Sequence, residues 1–272
     1  MMIKVSVIIT AFNEPTKILK RAVDSILRQS MEYIEIIIIL DNPNNESLAY
    51  FINMNYGNIE NIIIIFNKEN LGPGLSRNEG LKVAKGKYIA ICDADDQSDL
   101  MRLEKQYNFL NSNTNVDVVF SEWEEIDTKG NKIKKIKLKK YWFSSIKKYF
   151  FLKTMLLHPT MMIKNEVITN YQYPNLRRGE DFSLFITLMK NGIIFDLIQE
   201  PLYYYYVTKS ETDIHFLKLQ TYSKDYLRKL QTEINYFLFN PYFWVMYFKV
   251  LFLRFLTCNK NLFRLTYKIL KK

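Results

Sequence analysis

Short apolar segments alternate with amphipathic segments over the first hundred residues. Four of the apolar segments are rich in isoleucine and valine and predict buried β-strands: residues 3–10, 34–40, 61–66 and 87–92. Apolar positions recur at helical spacing over residues 16–29, where Pro15 marks the start, and over residues 73–85, where Gly86 marks the end. Strands that alternate with helices predict an α/β fold with a parallel, doubly wound sheet.

The pattern becomes more varied after residue 98. Asp99 is a candidate cap for a helix that extends to residue 111, and residues 127–131 form a turn signal between two strand-like runs. The other predicted elements are, in chain order, strands over 116–126 and 133–138, a helix over 182–191, a tyrosine-rich strand over 201–207, and helical segments from residue 213 onward.

The charge of the chain is unevenly distributed. Of 272 residues, 48% are hydrophobic, which is enough for a substantial core, and the net charge is +10. Residues 129–153 carry ten lysines and no acid, and residues 213–272 carry a net +8, so the rest of the chain has a net charge of −8. An acidic body argues against nucleic-acid binding, whereas the two basic segments favour contact with an anionic surface.

Two features bear on where the protein works. Residues 1–10 are typical of a first strand and not of a signal peptide, and the two cysteines lie far apart without metal-type spacing, which favours a reduced, cytoplasmic setting. Residues 241–258 are dense in aromatic and aliphatic side chains, but Lys249 and Arg254 interrupt the ~20 apolar residues that a membrane span requires. We expect an interfacial helix that lies on the membrane; the alternative is a helix packed on the protein's own core.

An apolar run over residues 89–92 ends abruptly in three carboxylates, Asp93, Asp95 and Asp96. Acids that follow a strand lie at the sheet edge where open α/β folds bind ligands. Carboxylates this close repel one another unless a cation lies among them, and Mn²⁺ or Mg²⁺ prefers oxygen ligands and keeps positions open for phosphates. The alternative for an isolated motif is a solvated acidic turn. Cys92 beside it is typical of a small buried hydrophobe.

Four segments occur in a characteristic order: residues 5–14, residues 40–42, the run NLGPGLSRNEGLKVAKGKYIAICDADD over 70–96, and Arg178-Gly179-Glu180-Asp181. Together they resemble the inverting, metal-dependent family 2 glycosyltransferases of the GT-A fold, most like the bacterial enzymes that build capsular or other surface polysaccharides. The resemblance covers about residues 3–208. It implies a Rossmann-like, mostly parallel sheet with flanking helices over residues 1–212, with a nucleotide-binding half (about 1–98) and an acceptor half (about 99–212). A helical, aromatic and basic extension then follows over 213–272.

The resemblance assigns the donor site to nine residues: Thr10, Ala11, Glu14, Asp41, Asn42, Arg77, Asp93, Ala94 and Asp95. In the family, the position of Asp41 binds the uracil edge of a UDP donor, that of Asp93 contacts the ribose, and that of Asp95 ligates the Mn²⁺ or Mg²⁺ that bridges the diphosphate. Asn42 stands where the family often has a second acid. The alternatives are an Asx turn at Asn42, a first-turn acid at Glu14 and a surface side chain at Arg77.

Asp181 matches the family's catalytic base, which takes the proton of the acceptor hydroxyl as it attacks the anomeric carbon. Glu180 and His158 are assigned by the resemblance to contacts with the acceptor or the diphosphate. The alternatives are an N-cap acid at Asp181 and a hydrogen-bonded core histidine at His158. Relatives often carry Tyr-Arg-x-His after the last strand, whereas this chain has Tyr205-Tyr206-Val207-Thr208, and His215 is only a distant substitute.

These assignments predict a glycosyltransferase that moves a sugar from a nucleotide-sugar donor, a UDP-sugar by family resemblance, to a growing, lipid-linked surface glycan with inversion at the anomeric carbon. The basic segments and the aromatic C-terminal segment would hold it at the cytoplasmic face of the inner membrane. The alternatives are a nucleotidyltransferase, transfer to polyprenyl phosphate, and a non-catalytic partner in a polysaccharide-synthesis complex. The sequence does not indicate the donated sugar, the linkage or the oligomeric state.

Overall fold

The computed structural model describes residues 2–146, 150, 156–207, 228–233, 235 and 237–257. Nine strands lie within these residues: β1 (Val5–Ala11), β2 (Ile34–Leu40), β3 (Ile62–Phe66), β4 (Tyr88–Asp93), β5 (Gln97–Ser98), β6 (Val118–Ile126), β7 (Lys132–Ile136), β8 (Met162–Lys164) and β9 (Phe195–Tyr206). The α-helices with described bounds are α1 (Thr16–Leu27), α2 (Glu46–Tyr56), α3 (Pro73–Val83), α4 (Arg102–Ser112), α5 (Tyr141–Ser144), α6 (Asn165–Asn170), α7 (Glu180–Lys190) and α8 (Pro241–Thr257).

All nine strands form one sheet with a parallel and a mixed half. The order is β3-β2-β1-β4-β8-β6-β9-β5, with β7 paired to β6. Strands β3, β2, β1 and β4 are mutually parallel, as the sequence predicts. Beyond β4 the direction varies, because β8 is antiparallel to both of its neighbours while β6 and β9 are parallel to each other. The prediction of a mostly parallel α/β sheet with flanking helices is confirmed.

Helices cover both faces of the central strands, which explains their almost unbroken apolar runs. Ile36–Ile39 of β2 are fully buried, and α1 contributes Leu19 and Val23 to the same core. The third helix has few apolar residues and approaches the sheet closely at Gly80, where a Cβ would lie 3.1 Å from Cδ1 of Ile39. This close packing brings the start of α3 to the carboxyl ends of the strands.

A buried arginine joins the two halves of the sheet. Arg102 of α4 is fully buried and donates to the carbonyl of Ile91 in β4 (2.9 Å) and to that of Met161 just before β8 (3.2 Å). Its other donors reach Ser98 Oγ and Gln106 Oε1. Four of the five N–H donors of the guanidinium are therefore hydrogen-bonded at the point where the parallel half meets the mixed half.

Two local predictions need correction. No helix is predicted between residues 40 and 61, but α2 lies there: Asn45 caps it by accepting the Leu48 N–H, and Leu48 and Ile52 are buried. Asp99 is not a helix cap, because α4 begins at Arg102. Its carboxylate instead accepts the N–H of Met101 and the hydroxyl of Tyr204.

The hairpin between β6 and β7 is confirmed, and Asp127 closes its turn by accepting the N–H groups of Lys129 and Asn131. The helix predicted over 182–191 begins two residues earlier, as α7. The tyrosine-rich strand predicted over 201–207 is the second part of β9, which begins at Phe195. The proposed domain boundary at residues 212–213 and His215 lie outside the described residues, so the domain division stays a prediction.

The last helix, α8, has one buried and one exposed apolar face. Phe243 and Val250 are buried in the same apolar cluster as the sheet, as the core alternative predicts. The exposed face consists of Val245, Phe248, Leu251, Phe252 and Phe255. In the part of the chain that the structure describes, no helix is long and apolar enough to span a bilayer.

We predict that Arg102→Met lowers the free energy of unfolding by about 3 kcal/mol, because it removes the four hydrogen bonds that the buried guanidinium donates. Urea denaturation followed by circular dichroism measures this change. The control Arg28→Met removes an exposed arginine on α1 and should change stability by no more than about 0.5 kcal/mol. Equal effects of the two substitutions would contradict a structural role for the Arg102 hydrogen bonds.

Candidate active site

A cavity of about 480 Å³ opens at the carboxyl ends of β1, β2 and β4, where open α/β sheets bind ligands. Eight of the nine predicted donor-site residues line it, and Asn42 is the exception. The lining consists of Thr10, Ala11, Phe12, Glu14, Asp41, Asn70, Gly72, Pro73, Arg77, Asp93, Ala94, Asp95, Arg177 and Arg178. The structure thus brings together predicted residues that are up to 85 positions apart in the sequence.

Asp41 shapes the glycine-rich loop. Its Oδ1 accepts the N–H of Leu71 and the side-chain amide of Asn67, and its Oδ2 accepts the N–H of Gly72, each at 2.8 Å. Gly72 has φ +83°, a left-handed conformation that glycine adopts without strain. Since a carboxylate oxygen accepts about two hydrogen bonds, Oδ2 retains capacity for a ligand donor.

The neighbouring predicted residues differ in their roles. Asn42 forms the Asx turn that was its alternative: its Oδ1 accepts the Asn44 N–H (3.0 Å), and its amide donates to Asn13 Oδ1 (2.7 Å). Glu14 precedes α1 and is not in its first turn, and its carboxylate accepts the Phe12 N–H at 2.6 Å. Glu14 therefore stabilises the turn that shapes this wall of the cavity.

Arg77 lies under the cavity and is not a surface residue. It is buried, and it donates from Nη1 to Glu180 Oε1 (2.9 Å) and from Nη2 to Asp93 Oδ1 (3.2 Å). Burial acts to lower the pKa of Arg77, but Asp93, Tyr173 and Glu180 outweigh burial and raise it. The guanidinium is thus a permanent cation that links α3, β4 and α7.

The acidic loop after β4 holds one accessible and one buried carboxylate. Desolvation and the adjacent Asp93 raise the pKa of Asp95 to about 6. Asp96 is fully buried, and burial followed by Asp93 and Asp95 raises its pKa well above the usual range. Because Asp96 Oδ1 accepts the N–H of Tyr206 (2.8 Å), this residue positions the end of β9 and does not face the cavity as a ligand.

Arg21 of α1 supports the same loop and was not foreseen as a site residue. It donates to the backbone carbonyl of Asp95, and its guanidinium carbon lies 3.4 Å from the centre of the Tyr206 ring. Cys92, by contrast, matches its prediction: it is buried, and burial raises the pKa of the thiol to about 12.

The residues at this edge are suited to a hard divalent cation that is bound by carboxylates and by the phosphate groups of a substrate. Asp93 and Asp95 both line the cavity, and the Asp95 carboxylate forms no ion pair with any described residue. Among the described residues there is no cluster of three potential protein ligands. Mg²⁺ is commonly held by one or two carboxylates together with substrate phosphates, so two acids agree with such a site.

Glu180 and Asp181 begin α7 beside the cavity lining. Gly179, with φ +73°, is the N-cap, so the alternative of an N-cap acid at Asp181 is wrong. Burial, followed by the charge of Glu180, raises the pKa of Asp181 to about 6. An acid with this pKa is mostly ionised at pH 7 and still basic enough to take a proton.

His158 is a buried core histidine, as its alternative states. Its Nε2 lies 2.8 Å from the Tyr173 hydroxyl. Burial, followed by the charges of Arg77 and Arg102, lowers the pKa of His158 well below its usual range, so the ring is neutral. It contacts the cavity only indirectly, through the layer that contains Tyr173 and Arg77.

Six lining residues lie outside the predicted set of site residues: Phe12, Asn70, Gly72, Pro73, Arg177 and Arg178. Asn70 and Arg178 lie in the segments that carry the family resemblance, so the motifs contained a usable signal. The sequence contained no such signal for Arg177, because only the fold shows that it donates to the side chain and the carbonyl of Asn70 across the cavity.

Comparisons with known proteins identify the family. A family model described as glycosyl transferase family 2 matches residues 6–171. An uncharacterized glycosyltransferase of Methanocaldococcus jannaschii is 39% identical over 246 residues, which cover 90% of this chain and 85% of that protein. The chain belongs to glycosyltransferase family 2. This family 2 glycosyltransferase is also 27% identical to the O-antigen biosynthesis glycosyltransferase WbnJ of Escherichia coli, over 84% of its own length and 91% of that of WbnJ.

Solved structures support the same fold. S. aureus TarS 1–349 in complex with UDP matches this family 2 glycosyltransferase with a TM-score of 0.60 at 20% identity, over 82% of this chain and 65% of that chain. Its complex with UDP-GlcNAc matches with a TM-score of 0.60 at 19% identity, over 82% and 66%. The predicted GT-A fold is therefore confirmed, while the present chain spans about two thirds of the solved one.

We predict that Asp181→Asn stabilises the protein at neutral pH. Because the folded pKa is raised to about 6, the folded state binds this proton more tightly than the unfolded state, and the ionised carboxyl is unfavourable above pH 6. The gain should be about 1 to 2 kcal/mol above pH 6 and should vanish towards pH 4.

Chemical denaturation between pH 4 and pH 8 measures this gain. Asp127→Asn is the control, because hydrogen bonds within its exposed turn lower the pKa of Asp127, so this substitution should not stabilise the protein at neutral pH. A gain for Asp181→Asn that is constant across the pH range would contradict the assigned cause.

Proposed function

We propose that this glycosyltransferase transfers a sugar from a UDP-sugar to a growing, lipid-linked surface glycan with inversion at the anomeric carbon. One observation carries the proposal: the fold brings eight predicted donor-site residues into one cavity and places Asp181 beside it. WbnJ, named for O-antigen biosynthesis, and TarS, solved with UDP and with UDP-GlcNAc, support the donor and the acceptor class.

The nucleoside would bind at the edges of β1 and β2. Asp41 Oδ2 has remaining acceptor capacity for an N–H on the edge of a uracil ring, and Thr10 and Ala11 form the adjoining backbone wall. Asp93 would contact the ribose. Its carboxylate is oriented by Arg77, and its backbone N–H donates to the Tyr203 hydroxyl (3.1 Å).

Asp95, with Asp93 nearby, would hold Mn²⁺ or Mg²⁺. When bound, such a cation neutralises charge on the diphosphate leaving group. Asp181 would accept the proton of the acceptor hydroxyl, because its pKa of about 6 leaves it ionised at neutral pH. Glu180, fixed by Arg77, keeps this first turn of α7 beside the donor cavity.

We expect UDP to bind with a requirement for Mn²⁺, and Asp95→Asn to weaken that binding at least about tenfold, since it removes a ligand charge. Calorimetric titration with UDP, GDP and dTDP, with and without Mn²⁺, tests the base and the cation together. Asp127→Asn, the same change in the exposed hairpin turn, is the control and should bind UDP like the unaltered protein.

Each outcome separates the alternatives. Binding of UDP that does not depend on Mn²⁺ would remove the cation from the proposal. A preference for GDP or dTDP would show that the donor carries guanine or thymine in place of uracil. Absence of binding for all three nucleotides would favour the alternative of a non-catalytic partner in a polysaccharide-synthesis complex.

The exposed face of α8 supports attachment to an anionic membrane surface. Phe248, Phe252 and Phe255 are each at least 59% exposed and lie on one side of the helix, and Phe239 just before it is 96% exposed. After Glu233 the sequence contains seven lysines and arginines and no acid. Aromatic side chains enter the interface of a bilayer while cations bind its anionic headgroups.

We predict that Phe248→Gln with Phe252→Gln lowers sedimentation with phosphatidylglycerol-containing vesicles at least about tenfold, because two apolar side chains no longer enter the bilayer. The matched control replaces Tyr50 and Met54, an exposed pair with the same spacing on α2, and should sediment as before. Unchanged sedimentation would refute membrane attachment through α8. Loss of self-association on the same substitution, without any vesicle binding, would assign this face to a second copy of the chain.

A further inference from the structure

Three arginines line the donor cavity, and two of them already have partners. Arg77 donates to Glu180 and Asp93. Arg177 donates to the side chain of Asn70 and to its carbonyl at 3.0 Å, so it holds the glycine-rich loop from the opposite wall. Arg77 is buried and paired with two carboxylates, whereas Arg177 is exposed and uses two of its five N–H donors to hold the loop.

Arg178 differs from both. It lines the same cavity and is exposed, and no described residue forms a hydrogen bond or ion pair with its side chain. A guanidinium offers five donors in a planar fork that matches phosphate oxygens. Binding an anion here would not require any protein partner to be displaced.

The charges of the cavity indicate which kind of anion Arg178 would bind. Four acids line it, Glu14, Asp41, Asp93 and Asp95, and a free phosphate group would be repelled by them. A nucleoside diphosphate is different, because its base and ribose are recognised by neutral and acidic groups while only its phosphates need cations. Among the arginines in the described lining, Arg178 is the one whose five donors all remain open.

We propose that Arg178 binds the diphosphate of the donor and continues to bind it as the nucleoside diphosphate leaves. This inference rests on the proposed function, since it presupposes a nucleotide-sugar in the cavity. Relative to that proposal it adds a binding residue that the family resemblance did not assign. A phosphate on the acceptor has the same chemistry, and the experiment distinguishes the two sources.

The test is calorimetric titration of the full chain with uridine, UMP and UDP in the presence of Mn²⁺. Arg178→Gln should weaken UDP binding at least about tenfold, the loss of one charge-assisted contact, and leave uridine binding unchanged. Arg178→Lys keeps the charge without the fork and should recover part of the affinity. Arg28→Gln removes an exposed arginine on α1 outside the cavity and should bind all three ligands like the unaltered protein.

The outcomes are distinguishable. Equal losses for uridine and UDP would show that Arg178 only supports the fold of the cavity and would overturn the inference. Unchanged UDP affinity in Arg178→Gln would assign the open guanidinium to a different anion, such as a phosphate on the acceptor, and would also overturn it. If the unaltered protein bound neither uridine nor UDP, the proposed donor itself would be wrong, and that result is independent of any Arg178 variant.

Discussion

The candidate site depends on one buried guanidinium shared by two carboxylates. Arg77 projects from α3 to Asp93 at the end of β4 and to Glu180 at the start of α7, which lies 103 positions after Arg77 in the chain. Removing all three charges from water is unfavourable unless they pair closely, and a planar fork can pair with two acids at once. Consequently the distance between the acidic loop and the proposed base is set by a single side chain.

Around this interaction, the acids of the site divide into those that build it and those left available for ligands. Asp41 holds the glycine-rich loop, and Asp96 holds the end of β9. Asp95 and Asp181 have pKa values raised to about 6 by burial and by neighbouring acids, so their ionised forms are unfavourable without a ligand. Such a concentration of like charge lowers stability and is typical of sites that bind cations or exchange protons.

The sequence was most informative where one physical requirement dominates. Strands β1 to β4 must be apolar on both faces, and their boundaries were predicted to within about two residues. α2 was missed because its apolar residues are not confined to the buried face, as the exposed Tyr50 and Met54 show, and the direction of β8 depends on contacts distant in sequence. Eight of the residues predicted for the donor site line one cavity, since strand ends converge at a sheet edge. Arg177 was not predicted, because only the folded chain brings it to the cavity wall, where it donates to Asn70.

The two interpretations of the C-terminal helix are compatible, and the structure shows why. A helix has room for two apolar faces, and α8 buries Phe243 and Val250 against the protein while exposing Phe248 and Phe252. The buried face fixes the orientation of the helix, and Lys190 of α7 pairs with Glu233 in the preceding helical segment (2.8 Å). Because α7 begins with the proposed base, this packing connects the exposed aromatic face to the element that would meet the acceptor. Under the proposed function, a surface that binds lipid would thus be held close to the site that would modify a lipid-linked glycan.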